Sequence, residues 1–368
     1  MKVALVHDYL REYGDAERVL AVLHRLYPSA PVYTAFVDRT HLGADAARFA
    51  DWKIRPTFAQ RLPFITQHFQ AYRPWLPYFW ESLDLTEFDL VISSSGGYLS
   101  HAVLTGANTL HICYCHTPPR NLWELAHADP GNRWLNLWRN TRLRHYDFYT
   151  AQRVDRFITN SQRVARRIHK FYGCPAEVIP PAVKIRGQGK AGNQYYLYVG
   201  QLNRHQQVDR AIAACQKLDR NLWIVGTGDE AERLKKRASD RIRFLGNVPE
   251  SAMPELYANA RALLFPATDA DFGFSPIEAM GHGVPVIAFE QSGIREIILN
   301  YRTGLLFPEP TVESLCAAIT QLEGLRFSAY ACIERAEEFA ESVFIPKLQW
   351  FITQALDEHK QQGMAAKS

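Results

Sequence analysis

The sequence has few of the features that mark several large protein classes. Six cysteines in 368 residues are too few for a disulfide-stapled secreted fold, and most lie in apolar strand or helix patterns. No stretch approaches the roughly 18 apolar residues of a membrane-spanning helix. The first apolar run stops at His7 and Asp8, too early for a signal peptide. We therefore expect mostly buried thiols in a reducing cytoplasm.

Charge of one sign is also scarce. Lysine and arginine total 42 against 38 acidic residues, and a formal charge of +4 argues against a nucleic-acid partner. The 21 glycines and 20 prolines follow no period, which excludes collagen-like chains, and the 47% hydrophobic content excludes disorder. The length suits two globular domains.

Familiar catalytic loops and metal motifs are missing as well. The sequence contains no Walker loop and no Gly-x-Ser-x-Gly elbow. Cys113 and Cys115 lack the further ligands that a zinc site needs. Asp269 and Asp271 form an acidic pair, but they precede a predicted anion-binding helix terminus. We expect no metal site.

Apolar strands alternate with helical patterns in both halves of the chain, which predicts two doubly wound parallel sheets. The predicted strands of the first half are residues 2–7, 32–36, 89–93, 110–115 and 156–160. Those of the second half are residues 195–199, 222–225, 242–245, 262–265 and 285–289. Each half therefore resembles a Rossmann-like α/β domain in architecture.

The polar, glycine-containing stretch at residues 184–192 predicts a linker between the domains. We expect an N-terminal domain at residues 1–184, a C-terminal domain at 193–342, and a last helical segment at 343–368. Residues 57–87 hold eight aromatic residues, and they fit either ordinary packing or an apolar contact surface.

Polar and glycine-rich residues follow the predicted strands, where open parallel sheets bind ligands. Such loops on two domains would face each other across a cleft. The loops are residues 7–8 with 14–15, 93–97, 116–120, 200–201, 226–229, 269–275 and 281–283.

Residues 271–288 give the most informative of these signals. Gly273 permits close backbone approach, Ser275 suits a helix cap, and Pro276 suits the first helical position. The free N–H groups of such a helix terminus bind anionic oxygens such as those of a diphosphate. Glu278, expected in the first turn, can accept hydrogen bonds from a ribose diol. Alternatively, Glu278 only complements the helix dipole.

His116 follows a predicted strand and precedes Pro118 and Pro119, so a rigid turn would hold its ring at the strand end. The nearby Arg120 and Trp123 favour a functional role. The alternative is a solvated loop histidine.

These motifs, taken in order, resemble the family 4 retaining glycosyltransferases of the GT-B fold, close to their bacterial mannosyltransferase-like branch. The resemblance extends over nearly the whole chain. It rests on residues 7–20, 110–123 (LHICYCHTPPRNLW), 155–168, 178–183, 196–202 and 271–289 (DFGFSPIEAMGHGVPVIAF).

The resemblance implies transfer of a hexose from a GDP-hexose or UDP-hexose donor to a glycan or a lipid-linked acceptor. The anomeric configuration would be retained, and neither a cofactor nor an essential metal would be needed. His116 and Arg120 would be the catalytic residues. The nucleotide sugar would bind mainly to the second domain, with Glu278 on its ribose, and the last helix would cross back to the first domain. The implied donor-binding residues are Gly14, Gly200, Arg204, Gly273, Phe274, Ser275, Pro276 and Glu278.

The chain departs from the family pattern at positions that would all serve the donor. Asp15 stands where the family has a second glycine, and His101 where its branch often has lysine. Gln206 and Gln207 replace a basic pair, although Arg204 and His205 lie nearby. Ala270 replaces the first of two paired glutamates, of which Glu278 is the second. Loss of several charged hydrogen bonds would weaken donor binding. The alternative function is therefore a catalytically impaired relative that acts as a binding or scaffold protein for a partner protein or a glycan.

The segment from Arg133 to Arg156 combines six arginines with five aromatic residues. Arginines beside aromatic residues suit an anionic bilayer surface. A cytoplasmic protein that is peripheral at the inner membrane is one expectation, and a partly buried helix with a solvated arginine face is the other.

Overall fold

The computed structural model describes residues 1–124, 133–185 and 192–365. The chain divides into two compact units, here called the N-terminal unit (Met1–Ala182 with Ile345–Ser368) and the C-terminal unit (Val183–Phe344). Most of the predicted linker, residues 186–191, lies outside the described residues.

The N-terminal unit contains a seven-stranded sheet in which every neighbouring pair is parallel. Its strand order is β3-β2-β1-β4-β5-β6-β7. The strands are β1 (Val3–His7), β2 (Val32–Thr34), β3 (Ile54–Pro56), β4 (Leu90–Ser95), β5 (Leu110–Cys115), β6 (Arg156–Thr159) and β7 (Ala176–Val178).

Helices connect these strands, as parallel pairs require. The α-helices are α1 (Asp15–Leu26), α2 (Arg39–Leu42), α3 (Ile65–His68), α4 (Leu76–Glu81), α5 (Arg120–Trp123), α6 (Arg133–Ala151) and α7 (Gln162–Tyr172). Short 3-10 helices lie at Gly43–Phe49, Phe58–Arg61, Phe69–Trp75 and Ser100–Ala102.

The C-terminal unit contains a six-stranded parallel sheet of order β10-β9-β8-β11-β12-β13. Its strands are β8 (Tyr195–Val199), β9 (Leu222–Val225), β10 (Ile242–Gly246), β11 (Ala260–Phe265), β12 (Val286–Phe289) and β13 (Gly304–Phe307). Its α-helices are α8 (Val208–Lys217), α9 (Ala231–Lys235), α10 (Met253–Asn259), α11 (Phe274–Gly281), α12 (Ser292–Arg295), α13 (Val312–Glu323) and α14 (Ala329–Glu337). A 3-10 helix spans Arg204–Gln206 and the last helix is α15 (Glu341–Ala365), whose residues from Ile345 belong to the N-terminal unit.

The prediction of two doubly wound parallel sheets is confirmed. The apolar runs are buried on both faces, and every residue of β4 and β5 is buried. Three short strands, β3, β7 and β13, were not predicted. β3 contains Arg55 and Pro56 and is mostly exposed, so it has no apolar run.

The aromatic segment at residues 57–87 folds into short helices. Its buried side chains, among them Phe79 and Trp80, pack into one hydrophobic cluster with Phe36 and Tyr98. Phe64, Trp75 and Tyr78 are exposed. The packing interpretation therefore holds for the inner residues, whereas the outer ones form an aromatic surface.

The six cysteines are unpaired, and five of them are buried. Within the described ranges, no helix has the length and hydropathy to cross a membrane. The same residues contain no cluster of three or more His, Cys, Asp or Glu side chains arranged to hold a metal ion.

Each sheet has one switch point, where the strand order reverses direction. It lies between β1 and β4 in the first sheet and between β8 and β11 in the second. Ligands of open α/β sheets bind beyond the carboxyl ends of the strands at this point. The two switch points are therefore the places to look for a site.

Candidate active site

Asp8 organises the switch point of the N-terminal unit. Its carboxylate, directly after β1, accepts backbone N–H bonds from Gly96, Tyr98 and Ser100 at 2.8 to 3.0 Å. Asp8 is 8% exposed, so these charge-assisted bonds are largely shielded from water. They fix the loop that follows β4.

Three consecutive serines at the end of β4 each contact a histidine. The pairs are Ser93 Oγ–His111 Nε2 (2.9 Å), Ser94 Oγ–His7 Nδ1 (3.1 Å), Ser94 Oγ–His116 Nε2 (2.8 Å) and Ser95 Oγ–His101 Nδ1 (2.9 Å). Because all three serines are buried, the sheet holds a polar layer inside its apolar core.

His116 is held at the end of β5 by its backbone as well as its ring. Its N–H donates to Ser95 O (2.8 Å), and Asn160 Nδ2 donates to its carbonyl oxygen (3.0 Å). The ring is half-buried, and burial, followed by the neighbouring His7, lowers its pKa to about 3. This geometry does not fit a freely solvated loop histidine.

Arg167 holds the loop after His116 in place through hydrogen bonds to two of its residues. Arg167 was not identified from the sequence. Its buried guanidinium donates from Nε to Glu124 Oε1 (2.8 Å) and from Nη1 to Thr117 Oγ1 (3.0 Å). Arg120 begins α5 within this loop. Because α7 carries several basic residues, nothing in the sequence marks Arg167 as the buried one. Its carboxylate partner is identified only by the fold.

His101, at a position where the family branch often has lysine, lies in the core. Its Nε2 lies 3.3 Å from Asp147 Oδ1. Burial disfavours the charged ring, but the hydrogen bond and charge of Asp147 outweigh it and raise the pKa of His101. Asp147 also accepts from Trp123 Nε1 and Tyr172 Oη. His101 is therefore a paired core residue that keeps a cation-forming side chain at this position.

Gly14 and Asp15 lie where the first loop enters α1. Gly14 is the N-cap residue, and its N–H donates to Glu17 Oε2 (3.0 Å). Asp15 is the exposed first residue of α1, where a carboxylate complements the helix dipole.

In the C-terminal unit, two loops pack backbone against backbone beyond β8 and β9. Leu202 N donates to Thr227 O (2.8 Å), and Gly200 N donates to Val225 O (3.1 Å). Gly226 has φ +126°, and a Cβ there would lie 1.9 Å from Gly200 O. The loops can meet only because this position has no side chain.

A cavity of about 470 Å³ adjoins these loops. Arg204 is exposed, and Gln207 adopts a left-handed conformation (φ +52°, ψ +38°) that normally favours glycine. Gln207 Nε2 donates to Arg204 O (2.8 Å). Gln206 lies beside them but does not line the cavity. The lining residues are Asn203, Arg204, Gln207, Val208, Asp209, Glu230, Arg233 and Leu234.

The predicted details of the segment around Gly273 need correction. α11 begins at Phe274 with Gly273 as its N-cap residue, so Ser275 does not cap the helix and Pro276 is its third residue. Glu278 consequently lies in the second turn. Little space is left at Gly273 for a side chain, because a Cβ there would lie 3.1 Å from both Ile294 Cδ1 and Pro276 Cγ.

Glu278 is half-buried and accepts a hydrogen bond from Tyr257 Oη at 3.1 Å. Tyr257 in turn stacks on His282, with ring centroids 5.0 Å apart. Tyr257 lies 21 residues earlier on α10, so no local pattern marks this pair. A carboxylate oriented by Tyr257 is suited to accept hydrogen bonds from a diol.

The side chain of Ala270 lies in the hydrophobic core of the C-terminal unit. Its N–H donates to Gln291 Oε1 (3.3 Å), and Gln291 Nε2 donates to Ala267 O (2.8 Å). A buried amide side chain thus braces the loop at the position where the family has a glutamate. Sequence reasoning did not single out Gln291.

Two family models match the chain in succession. The model for Glycosyltransferase Family 4 matches residues 11–186, and the model for Glycosyl transferases group 1 matches residues 184–339.

Individual relatives agree with these models. The O-antigen chain mannosyltransferase RfbU of Salmonella typhimurium is 29% identical over 49% of this chain and 56% of its own length. A GDP-mannose-dependent alpha-mannosyltransferase of Mycolicibacterium smegmatis is 32% identical over 34% of this chain and 33% of its own. Across eight curated relatives the match covers 24% to 56% of the relative's length.

Among solved structures, Anabaena HepE in complex with UDP aligns with a TM-score of 0.70 and 18% identity over 96% of this chain and 100% of its own. This likeness establishes the GT-B fold. The two glycosyltransferase models together extend over residues 11–339, and the chain has the GT-B fold.

Proposed function

We propose that the protein transfers a hexose from a GDP-hexose or UDP-hexose donor to a glycan or lipid-linked acceptor, with retention of the anomeric configuration. The observation that carries the proposal is the switch point of the C-terminal unit. There, two tightly packed glycine loops adjoin a cavity that Arg204 and Arg233 line. Guanidinium groups suit a diphosphate, because they donate paired hydrogen bonds to its oxygens.

The named relatives support the choice of donor. One is a GDP-mannose-dependent enzyme, and HepE was solved with UDP and with UDP-glucose. Glu278, oriented by Tyr257, would accept from the ribose hydroxyls of either nucleotide. Retention is inferred from the resemblance to family 4, and the anomeric configuration of the product, read by NMR, tests it.

We propose that the departing diphosphate is stabilised by cationic side chains rather than by a required metal ion. Arg204 is exposed at the cavity, and Arg233 is paired with Glu230 on its rim. Preorganised cations near a developing negative charge lower the barrier to its formation. Transfer that stops with EDTA and returns with a divalent cation would refute this part.

The first test is calorimetric titration with UDP, GDP, ADP and their hexose conjugates. We expect micromolar binding of one nucleotide, which corresponds to about −8 kcal/mol, and at least tenfold weaker binding in Glu278→Ala. Glu313→Ala is the matched control, because Glu313 is an exposed carboxylate of the same unit that pairs with the surface residue Lys217. Loss of binding in both variants would contradict a specific role for Glu278.

The second candidate function is a catalytically impaired relative that binds a partner protein. The core position of Ala270 favours it, because the first glutamate of the family pair is replaced by a buried methyl group. This candidate predicts no binding of any nucleotide in the titration and a stable hetero-complex. Nucleotide binding with measurable transfer would refute it.

We also propose that α6 places the protein on an anionic bilayer. Trp138, Arg142, His145 and Tyr149 are exposed at helical spacing, and the Arg142 guanidinium lies 4.8 Å from the Trp138 ring centroid. The one acidic residue of α6, Asp147, is buried. The exposed face is thus aromatic and cationic, which is the composition that anionic headgroups attract.

α4 also exposes an aromatic side chain, Tyr78, and the exposed Trp75 immediately precedes this helix. Glu81 and Arg153 form an ion pair of 3.0 Å, which joins the end of α4 to the residues after α6. Tyr78 lies one turn before Glu81. The ring centroids of Trp75 and Tyr78 are 5.9 Å apart. We expect sedimentation with phosphatidylglycerol vesicles at low salt, lost in Trp138→Ala with Arg142→Glu. Trp350→Ala, an exposed tryptophan on α15, is the control; no sedimentation of the unaltered protein would refute the proposal.

A further inference from the structure

A continuous line of hydrogen bonds runs from α1 to the ring of His116. Glu17 Oε1 lies 3.2 Å from His7 Nε2, and the other ring nitrogen of His7, Nδ1, lies 3.1 Å from Ser94 Oγ. Ser94 Oγ then lies 2.8 Å from His116 Nε2. Glu17, His7 and Ser94 are buried, so water does not compete for these contacts, and His116 is the half-buried end of the line.

The direction of donation is fixed at the Glu17 end. Gly14 N–H donates to Glu17 Oε2 at 3.0 Å. A carboxylate has no proton to give, so Oε1 also accepts, and His7 must present Nε2–H to it. A neutral imidazole has one N–H, which leaves His7 Nδ1 as an acceptor. The hydroxyl of Ser94 must therefore donate to His7.

The single hydroxyl proton of Ser94 decides which ring nitrogen of His116 carries a proton. Because that proton is directed at His7, Ser94 Oγ accepts from the Nε2–H of His116. The low pKa of His116, about 3, keeps its ring neutral near pH 7. Its remaining nitrogen, Nδ1, then has a lone pair and no proton.

We propose that Glu17, His7 and Ser94 are positioning residues that hold the proton of His116 on Nε2 and so keep Nδ1 as a hydrogen-bond acceptor for a hydroxyl group of the transferred sugar. The sugar as ligand rests on the function proposed above, whereas the tautomer does not. A lone pair at Nδ1 accepts from a hydroxyl but repels a phosphate oxygen, which has no proton to donate. The line therefore makes His116 select the sugar over the diphosphate.

The tautomer can be measured directly in the ligand-free full chain. Long-range ¹H–¹⁵N correlation spectra of ¹⁵N-histidine-labelled protein report which ring nitrogen carries the proton, and His116→Gln and His7→Gln assign the signals. At pH 7.5 we expect the proton on Nε2 in both His7 and His116. A His116 ring with its proton on Nδ1, or a doubly protonated His7, would overturn the proposal.

Glu17→Gln reverses the direction of hydrogen-bond donation along the line and replaces the carboxylate by an amide of nearly the same shape. Gly14 N–H remains a donor, so the amide oxygen of the new side chain faces it and the NH₂ group faces His7 Nε2. His7 then carries its proton on Nδ1, Ser94 donates to His116 Nε2, and His116 carries its proton on Nδ1. A His116 ring that keeps its proton on Nε2 in this variant overturns the coupling, whichever tautomer His7 adopts.

Adjacent serines provide a matched control. Ser94→Ala cuts the line, so in this background the substitution at Glu17 no longer changes the tautomer of His116. Ser93→Ala removes the hydroxyl that contacts His111 on the same strand and leaves the response of His116 to Glu17→Gln intact. Equal loss of the response in both serine variants would refute a specific path through Ser94.

An activity measurement separates this inference from the proposed function. In an active transferase, Glu17→Gln lowers kcat/KM for the nucleotide sugar by roughly 10- to 100-fold, the effect of one mismatched buried hydrogen bond. The affinity for the free nucleoside diphosphate stays unchanged. A chain with the expected tautomers but no transfer contradicts the proposed function alone, whereas transfer with the opposite tautomer contradicts this inference alone.

Discussion

The two switch points have the same strand topology but are built from different materials. In the N-terminal unit, buried side chains make the site: Asp8 fixes a loop, and the serines of β4 contact four histidines. In the C-terminal unit, the site is formed by backbone, because the loops at Gly200 and Gly226 are so close that no Cβ fits between them.

This difference bears on which substitutions each site tolerates. A backbone platform keeps its shape when side chains beside it are replaced, and the departures from the family pattern at Gln206 and Gln207 follow such a platform in the chain. The departure at His101 lies in the N-terminal unit instead, where the ring has buried partners in Ser95 and Asp147. A network of buried side chains depends on each member, since one unpaired polar group in the core costs about 1–3 kcal/mol. We therefore expect substitutions of glycine to destabilise the C-terminal site most. Substitutions of buried polar residues should destabilise the N-terminal site most.

The largest expected effect is that of Gly226→Ala. Its Cβ would lie 1.9 Å from Gly200 O, and φ is +126°, so the two loops must separate. We expect the C-terminal unit to lose about 5 kcal/mol of unfolding free energy, measured by hydrogen exchange of the β9 amides. Gly246 also has a positive φ, but +66° lies in the left-handed helical region and open space surrounds the residue, so Gly246→Ala should cost only about 1 kcal/mol. Equal effects would show that strain, rather than packed backbone, limits this position.

Asp8→Ala is the corresponding change in the N-terminal unit. It leaves three backbone N–H groups without their acceptor, and we expect a loss of about 3–4 kcal/mol. Hydrogen exchange of the β4 amides measures it. Asp38→Ala is the control, because Asp38 accepts one backbone N–H as the N-cap of α2 and should cost about 1 kcal/mol. A small effect at Asp8 would mean that water replaces its carboxylate.

Sequence reasoning found the sheets and most residues of both switch points because their signals are local. An apolar run such as β5 and a loop such as the one after Gly200 can be recognised within a few residues. The same reasoning placed Ser275 at the cap of α11, because it weighs the capping propensity of side chains, whereas the helix begins two residues after Phe272 with Gly273 as its N-cap residue.

Partners distant in sequence were beyond its reach. Ser94 meets His7 across 87 residues, and Arg167 meets Glu124 across 43. The sequence shows that serines and histidines end neighbouring strands, but the register of β1, β4 and β5 decides which pairs form. Tyr257 and Gln291 were missed for the same reason, because each acts through a residue on another element.

The third prediction uses pH to distinguish the units. Burial, followed by the neighbouring His101, lowers the pKa of His111 to about 3, against an unfolded value of about 6.5. Above about pH 6.5 neither state binds this proton; below it the unfolded state does, so stability falls as the pH falls. At about pH 5 the contribution is about 2 kcal/mol.

His111→Leu should therefore remove about 2 kcal/mol of the loss of stability between about pH 7 and pH 5. Hydrogen exchange of the β5 amides at the two pH values measures this slope, whatever the variant's stability at neutral pH. The β11 amides, in the other unit, should show no change in slope. A variant with the slope of the unaltered protein would contradict the neutral, buried state of His111.

The smallest expected effect is at Gln207, where a side chain is attached to backbone that favours glycine. Gln207→Gly relieves the left-handed strain at φ +52° but loses the hydrogen bond to Arg204 O, so the net gain should be only about 0.5 kcal/mol. Gln206→Gly, one residue earlier and not at positive φ, should instead lower stability by about 0.5–1 kcal/mol. Opposite signs at adjacent glutamines, measured on the β8 amides, would show that the backbone of this loop holds its left-handed conformation independently of the side chain at position 207. Equal signs would mean that the side chain of Gln207 stabilises the loop, and the contrast between a backbone-built and a side-chain-built site would then weaken at this position.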